Sequence, residues 1–324
     1  TNNSLITYVD INDPAGDIVV RATAAAPGQM ADRFKMDAWN GVLRVVTNTG
    51  WPERNTYITT FDLTDPDTMA QLGQTTLQSA SGESVFATRF DGPKAYIVTY
   101  LTKDPLFIVD LSDPANPQVL GELEIPGWST HIEPRGDRLI ALGVDDQGGQ
   151  RVMVSLFDVS NAAAPLRLDF ESFGEGWSWS SAYNDVKAFS VFDDIILVPF
   201  SGWNTGSGGY DRLQFISYTH DTLEPGGYAD LQGSALRSFA YSDLYYSVTQ
   251  EQLAVIEAAD LAAPTVINTI SLAENVADIA PLANGWAVEV ISRYNSGDTL
   301  LRATNPAGET GGSLALPVQS VTAT

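Results

Sequence analysis

The stretch that decides the fold is Val109-Asp110-Leu111-Ser112-Asp113-Pro114, an apolar strand that ends in an acidic residue and an Asp-Pro turn. Related phrases begin at positions 9, 61 and 157, and weaker copies begin at 216 and 256. Successive copies start between 40 and 60 residues apart, counted along the chain. A phrase that returns at this interval is typical of a protein built from repeated structural units.

A second signal recurs in phase with the first, as a dipeptide typical of tight turns. It reads Asn40-Gly41, Asp91-Gly92, Gly136-Asp137, Asp193-Asp194, Ser242-Asp243 and Asn284-Gly285. Asn-Gly and Asp-Gly readily adopt the positive φ that two-residue β-hairpins require. The flanking segments alternate in polarity or are fully apolar, and helical spacing is nearly absent. Each repeat therefore predicts four antiparallel strands, of which the first two form a hairpin.

Four strands in each unit of 40–50 residues are typical of a β-propeller blade. The six hairpins predict an all-β chain that forms a single six-bladed β-propeller. The predicted blades cover residues 28–78, 79–127, 128–176, 177–232, 233–273 and 274–324. Strands near 5–10 and 17–23 have no inner hairpin before them, so we expect residues 1–27 to complete the last blade by strand exchange between the N- and C-terminal ends. The alternatives are seven blades, with 311–318 pairing separately, part of a larger propeller, or two unrelated β-sandwiches.

The run Asp104-Pro105-Leu106-Phe107-Ile108-Val109-Asp110 resembles secreted prokaryotic proteins that carry a C-terminal β-propeller distantly related to WD-40 repeats. The likeness extends from about Pro27 to Leu272 and includes residues 34–37, 41–45, 154–160 and 187–189. It implies a propeller in a secreted or periplasmic protein whose signal peptide has been removed, and it implies no particular reaction. Members of that family often carry His where this chain has Glu133 and Val186. The resemblance therefore implies that any metal site of theirs is lost here or rebuilt from His131, Glu133 and Asp185.

Composition excludes several classes of function. The chain has no Cys, so it forms no disulfides, zinc–thiolate sites or thiol nucleophiles. Its net charge of −23 argues against nucleic-acid binding and against adsorption to anionic membranes. No apolar run approaches the roughly 20 residues of a spanning helix, so we expect no membrane insertion. The serine-hydrolase elbow and the zinc-protease motif are both missing from the sequence.

Propeller topology predicts where binding residues gather. Loops between second and third strands, and loops between blades, fall on one side, which we call the top face. Five of the seven Trp residues are predicted there, together with a tyrosine from the glycine-rich stretch 201–210: Trp51, Trp128, Trp177, Trp179, Trp203 and Tyr210. Exposed aromatic rings framed by acids stack on sugar rings or anchor a protein. The alternative is that these rings close the ends of the blades as part of the core.

The predicted inner strands carry charges of both signs around the channel: Lys35, Arg89, His131, Glu133, Asp185, Lys187 and Arg237. Buried charges must be paired, so these residues form either an ion-pair lattice or a ligand site. His131 and Glu133 lie two apart on one strand face, and with Asp185 they are the best metal or acid–base candidates. The acidic turn at Asp145-Asp146 is the other candidate, for Ca²⁺, the one cofactor that the sequence suggests.

These observations predict an exported binding or scaffolding module that takes a protein or glycan partner on its top face and channel mouth. The enzyme alternative is a carbohydrate-active hydrolase or lyase. Its catalytic residues would be Glu133, His131 and Asp185, while Trp128 and Trp177 would hold the sugar. A third hypothesis is a structural protein stabilised by calcium.

Overall fold

A computed structural model of the chain describes residues 3–100, 105–124, 127–147, 149–204, 208–293 and 298–317. Within these ranges the regular elements are β-strands and four single-turn 3₁₀ helices, which span Arg33–Lys35, Gln78–Ala80, Ser181–Tyr183 and Val186–Ala188. The expected all-β class is therefore confirmed. No helix in the described residues has the length and apolar character needed to cross a membrane.

The chain divides into two compact units. The first unit contains Thr1–Asp146 and Met153–Phe170, and the second contains Gln147–Val152 and Glu171–Thr324. The first unit begins with a two-stranded sheet, formed by β1 (Asn3–Asp10) and β2 (Val19–Pro27). Two four-stranded sheets follow in sequence order: β3 (Met36–Trp39), β4 (Val42–Asn48), β5 (Thr56–Asp62) and β6 (Gln71–Thr76), then β7 (Ser84–Asp91), β8 (Lys94–Tyr100), β9 (Pro105–Asp110) and β10 (Gln118–Glu124).

The third four-stranded sheet contains the boundary between the two units, and its strands are β11 (Trp128–Arg135), β12 (Arg138–Asp145), β13 (Arg151–Asp158) and β14 (Leu166–Phe173). The next sheet contains β15 (Ser178–Trp179), β16 (Ser190–Val191), β17 (Ile195–Asn204), β18 (Gly208–Tyr218) and β19 (Leu223–Leu231), with both β15 and β16 paired to β17. The last two sheets are β20 (Arg237–Tyr241), β21 (Leu244–Val248), β22 (Gln252–Glu257) and β23 (Thr265–Ser271), then β24 (Val276–Pro281), β25 (Ala287–Arg293), β26 (Asp298–Thr304) and β27 (Thr310–Leu316).

The expected exchange of strands between the two ends of the chain is not what the sheets contain. β1 and β2 form a sheet of their own, and β27 pairs with β26 from Thr299↔Leu316 to Thr304↔Thr310. The last segment therefore supplies its own fourth strand. Gly311 and Gly312 lie inside that strand, and such residues weaken its signal in the sequence. The described strands consequently form seven sheets where the repeats predicted six blades.

The recurring Asp phrase has a structural role at the end of the third strand. The Asp110 carboxylate accepts the Ser112 backbone N–H at 2.8 Å, and the Asp113 carboxylate accepts that of Ala115 at 3.0 Å. Between them, the Leu111 N–H donates to the Pro93 carbonyl in the hairpin turn at 2.7 Å. Other copies of the phrase repeat these bonds. An Asp-Pro turn in a sequence predicts a structural role, because Asp accepts bonds from the amides that follow and Pro presets φ. The carboxylates of these turns cap neighbouring amides in this way.

The fully apolar strands are explained by burial on both faces. In β8, Tyr96 and Val98 belong to the cluster shared with the third sheet. Ala95 and Ile97, which alternate with them, belong to the cluster shared with the preceding sheet. Because successive side chains of a strand point to opposite faces, a strand packed between two sheets must be apolar at every position.

Candidate functional site

The order of strands determines which loops share an end of each sheet. Four consecutive antiparallel strands place the first and third turns at one end of the sheet. The loop between the second and third strands lies at the opposite end, which we call the top end because it carries the loops of the predicted top face. Trp51 lies between β4 and β5, and Trp128 begins β11. Trp177 precedes β15, Trp179 lies within it, and Trp203 is near the end of β17. Each of these five residues thus lies at the top end of its own sheet.

The five indoles differ in their surroundings. Trp51, Trp177 and Trp203 are exposed, at 81 %, 58 % and 47 %. Trp128 and Trp179 are half-buried, with ring partners at centroid distances of 5.2 Å (Tyr100) and 6.4 Å (Tyr183). The core interpretation therefore applies to two of the predicted contact residues, and the surface interpretation to three.

Two of the exposed indoles adjoin the same strand pairing in the second unit. The β15–β17 register pairs Ser178 with Gly202, and Trp177 and Trp203 are the next residues along the chain from that pair. On the other neighbouring strand Trp203 pairs with Gly209, which has no side chain to cover that flank of the indole.

An exposed hydrogen bond and a buried tyrosine lie next to these two indoles. The Trp177 Nε1–H donates to the Gln150 Oε1 at 3.0 Å. Tyr210 was predicted as a contact residue, but its ring is buried against Phe200, and its hydroxyl accepts the Glu175 backbone N–H at 3.2 Å. It therefore supports the site from beneath, because the strand pairing turns its ring toward the core. In the glycine-rich stretch, residues 205–207 lie outside the described residues.

Gln150 was missed by sequence reasoning. It lies 27 residues before the indole that it contacts. No spacing or motif connects them, and only the meeting of strand ends brings them together. The sequence marks Gly209 only as a member of the glycine-rich stretch 201–210. That pattern does not reveal that Gly209 pairs with Trp203.

The prediction that all these charged residues lie on inner strands is wrong for three of them, because Lys35 and Lys187 lie in 3₁₀ helices and Asp185 caps the second of these helices. Several members of the predicted set are held in ion pairs. In the first unit, the Glu133 carboxylate lies 3.3 Å from the Arg89 guanidinium and 3.8 Å from the His131 imidazole. Burial acts to raise the pKa of Glu133, but the His131 side chain and the charges of Arg89 and Arg135 outweigh it and hold the pKa below its ordinary value. Glu133 is therefore ionised near neutral pH, which does not suit a general acid.

Lys35 is buried, and its Nζ donates to the Asp32 carboxylate at 3.0 Å and to the Phe86 carbonyl at 2.9 Å. Burial lowers the pKa of its ammonium group. In the second unit, the Arg237 guanidinium lies 2.6 Å from the Asp185 carboxylate. That hydrogen bond is the largest cause of the lowered pKa of Asp185. Lys187 is exposed, and its backbone N–H donates to the same carboxylate at 3.2 Å.

No group of three or more His, Asp or Glu residues in the described part of the chain is arranged to hold a metal ion. The predicted set of His131, Glu133 and Asp185 is thus not assembled there as a metal centre. Asp145 is buried and Asp146 is exposed. Burial lowers the pKa of Arg167, and the negative charge of Asp145 partly offsets this effect. Gly148, in the same predicted turn, lies outside the described residues.

Three comparisons place the chain among known proteins. Residues 1–253 match the β-propeller domain family. An uncharacterised protein of Methanocaldococcus jannaschii is 42 % identical over 164 residues, which cover 50 % of this chain and 25 % of that protein. An uncharacterised protein of Archaeoglobus fulgidus is 30 % identical over 238 residues, 72 % of this chain and 34 % of that protein. The matched regions thus span about a third or less of these relatives.

Among solved structures, the quinohemoprotein alcohol dehydrogenase ADHIIG of Pseudomonas putida HK5 is 10 % identical to this chain, with a TM-score of 0.41. The alignment covers 88 % of this chain and 60 % of that one.

Proposed function

Since the chain belongs to the β-propeller domain family, we propose that it is an exported binding module whose contact site is the aromatic pair Trp177 and Trp203. Export follows the resemblance to secreted propeller proteins. A module of this kind contacts its partner through the top end of a sheet and leaves the strands unchanged. That the whole protein binds a partner is likewise a proposal.

The observation that carries the proposal is the placement of two exposed indoles at the end of the β15–β17 pairing, each next to the registered pair Ser178↔Gly202. Large apolar rings gain free energy when they leave water, so two exposed rings at one end of a strand pairing favour contact with a ligand. The hydrogen bond from Trp177 to Gln150 restricts the orientation of one ring and lowers the entropy lost on binding.

The ligand class that we favour is a glycan. The C–H face of a pyranose ring is apolar and stacks on an indole, while its hydroxyl groups need polar partners at the rim of the ring. Gln150 provides a polar neighbour for Trp177. Gly209, which pairs with Trp203, leaves one flank of that indole open. A protein partner is the second class that such rings serve.

Binding to a glycan array, followed by titration calorimetry with the oligosaccharide found, tests the proposal. Trp177→Ala and Trp203→Ala should each weaken binding by roughly tenfold or more, as expected for a central aromatic contact. Trp51→Ala is the control, since it removes an even more exposed indole from the other unit. Glycan binding that survives both substitutions would contradict the site. A protein captured from culture supernatant, and lost with the same two substitutions, would replace the glycan by a protein partner.

The enzyme alternative has less support. A hydrolase needs a protonated acid, whereas the surroundings of Glu133 favour its ionised form. The third member of the predicted set, Asp185, is paired with Arg237. Release of reducing sugar by the wild type, abolished by Glu133→Gln, would restore the enzyme hypothesis.

A further inference from the structure

A groove runs between two successive sheets of the first unit and belongs to neither of the sites above. Its volume is about 500 Å³. One wall is the end of β6 and the segment after it, residues 75–79, and the other is the segment that enters β10, residues 116–119. β6 is the outer strand of its sheet, so the groove lies between the end of an outer strand and the turn that leads into β10.

The edge of β6 offers backbone groups to this groove. Beyond the end of β6, the Leu77 N–H donates to the Thr56 carbonyl of β5 at 3.0 Å. Hydrogen-bonded positions alternate along an antiparallel pair, so Thr75 and Gly73 also bond toward β5, while Thr76 and Gln74 direct their N–H and carbonyl groups away from it. In the described residues, no hydrogen bond joins Thr76 or Gln74 to the neighbouring sheet. The outward groups of this edge thus resemble those that accept an added strand.

The charged residues in the two segments that form the groove are all acidic. Residues 70–80 and 112–124 contain no Lys or Arg, and they contain Asp113, Glu122 and Glu124. The Ser79 hydroxyl donates to the exposed Glu122 carboxylate beside the groove. The remaining lining is largely hydroxyl and amide, and its apolar residues are Leu77, Pro117 and the half-exposed Val119.

We propose that this groove binds an extended, basic peptide segment of a partner protein, which adds a strand to the outer edge of β6. Main-chain hydrogen bonds to Thr76 and Gln74 supply the pairing that an extended peptide needs. Lys or Arg side chains of the peptide lie toward Glu122 and Glu124, and this charge complementarity selects a basic segment over an acidic one.

The probe is a fluorescein-labelled peptide of alternating Lys and Val, titrated by fluorescence anisotropy against the full chain at low ionic strength. Thr76→Pro removes the outward N–H without removing a bond to β5, and an outer strand tolerates proline on its solvent side. We expect this substitution to weaken binding by about tenfold, the effect of one lost backbone hydrogen bond. Glu122→Gln should weaken binding by a few-fold, and added salt should do the same.

Glu224→Gln removes an exposed carboxylate of the second unit, so this control should bind like the wild type. The circular dichroism spectrum of each variant reports whether it folds. Equal binding by a folded Thr76→Pro, equal affinity for a peptide of alternating Glu and Val, or an equal loss in Glu224→Gln would each overturn the proposal. If Thr76→Pro does not fold, the comparison of Glu122→Gln with Glu224→Gln decides between specific binding and general attraction to an acidic protein.

Discussion

Charged side chains that the sequence placed on inner strands are largely used to hold the protein together. Lys35 shows how hydrogen bonds compensate for the hydration that a charged group loses when it is buried. Its buried ammonium loses water, which lowers its pKa, and it regains partners in Asp32 and the Phe86 carbonyl. The latter bond connects the 3₁₀ helix before β3 to β7 of the second four-stranded sheet. The same principle of paired charges applies to Glu133 with Arg89.

Glu133 gives a prediction about pH. Its folded pKa lies below the ordinary value of 4.5, so its ion pair stabilises the protein above that pH and is lost as the pH falls through the folded pKa. Glu133→Gln should therefore lower the free energy of unfolding at pH 7, by less than about 1 kcal/mol because the group is partly exposed. Urea titrations at pH 7 and pH 3 should show this difference shrinking in acid.

Glu224→Gln is the control for this measurement, because Glu224 is exposed and has no ion pair among the described residues. Its effect should be small at both pH values. A Glu133→Gln difference that is as large at pH 3 as at pH 7 would show that the substitution acts through packing and not through charge.

Glycines in outer strands make the contact between one sheet and the turn of the next. A Cβ added to Gly73 of β6 would lie 2.5 Å from the Pro114 carbonyl oxygen. A Cβ added to Gly226 of β19 would lie 2.6 Å from that of Leu261, and Gly121 of β10 meets Ala162 in the same way. Each partner belongs to the Asp-containing turn of the following sheet, so this contact repeats with the strands.

Gly73→Ala tests this contact between elements. The added methyl group must displace backbone, and overpacking of this kind costs about 1–3 kcal/mol. The substitution should therefore lower the melting temperature by several degrees, measured by differential scanning calorimetry. Gly312→Ala should leave the melting temperature nearly unchanged, since no atom lies within 4 Å of the added Cβ. Equal effects of the two substitutions would contradict the close approach.

At the scale of the whole molecule, charge is the dominant feature. A net charge of −23 on 324 residues means that like charges repel in the folded state. Salt shortens the range of this repulsion from about 30 Å at 0.01 M to about 8 Å at 0.15 M. Repulsion therefore limits stability most at low ionic strength.

We expect the melting temperature to rise by several degrees when NaCl increases from about 0.01 M to about 0.3 M, the range over which screening becomes short. CaCl₂ and MgCl₂ at equal ionic strength should give equal increases, because no cluster of three acidic or His residues in the described ranges is arranged to hold an ion. A larger increase with CaCl₂ would support the hypothesis of calcium stabilisation.

The sequence by itself determined the all-β class, the family resemblance and the capping role of the Asp turns, since strand alternation, turn dipeptides and Asx bonds depend on residues close in the chain. It also placed five Trp residues at the top ends of their sheets. Only the tertiary structure decided that β27 completes the last sheet, that Tyr210 is buried, and that Trp177 and Trp203 both adjoin the Ser178↔Gly202 pair, with Gln150 beside Trp177. The physical reason is that register and burial depend on contacts between segments far apart in the chain, and local patterns do not specify which strand edges meet.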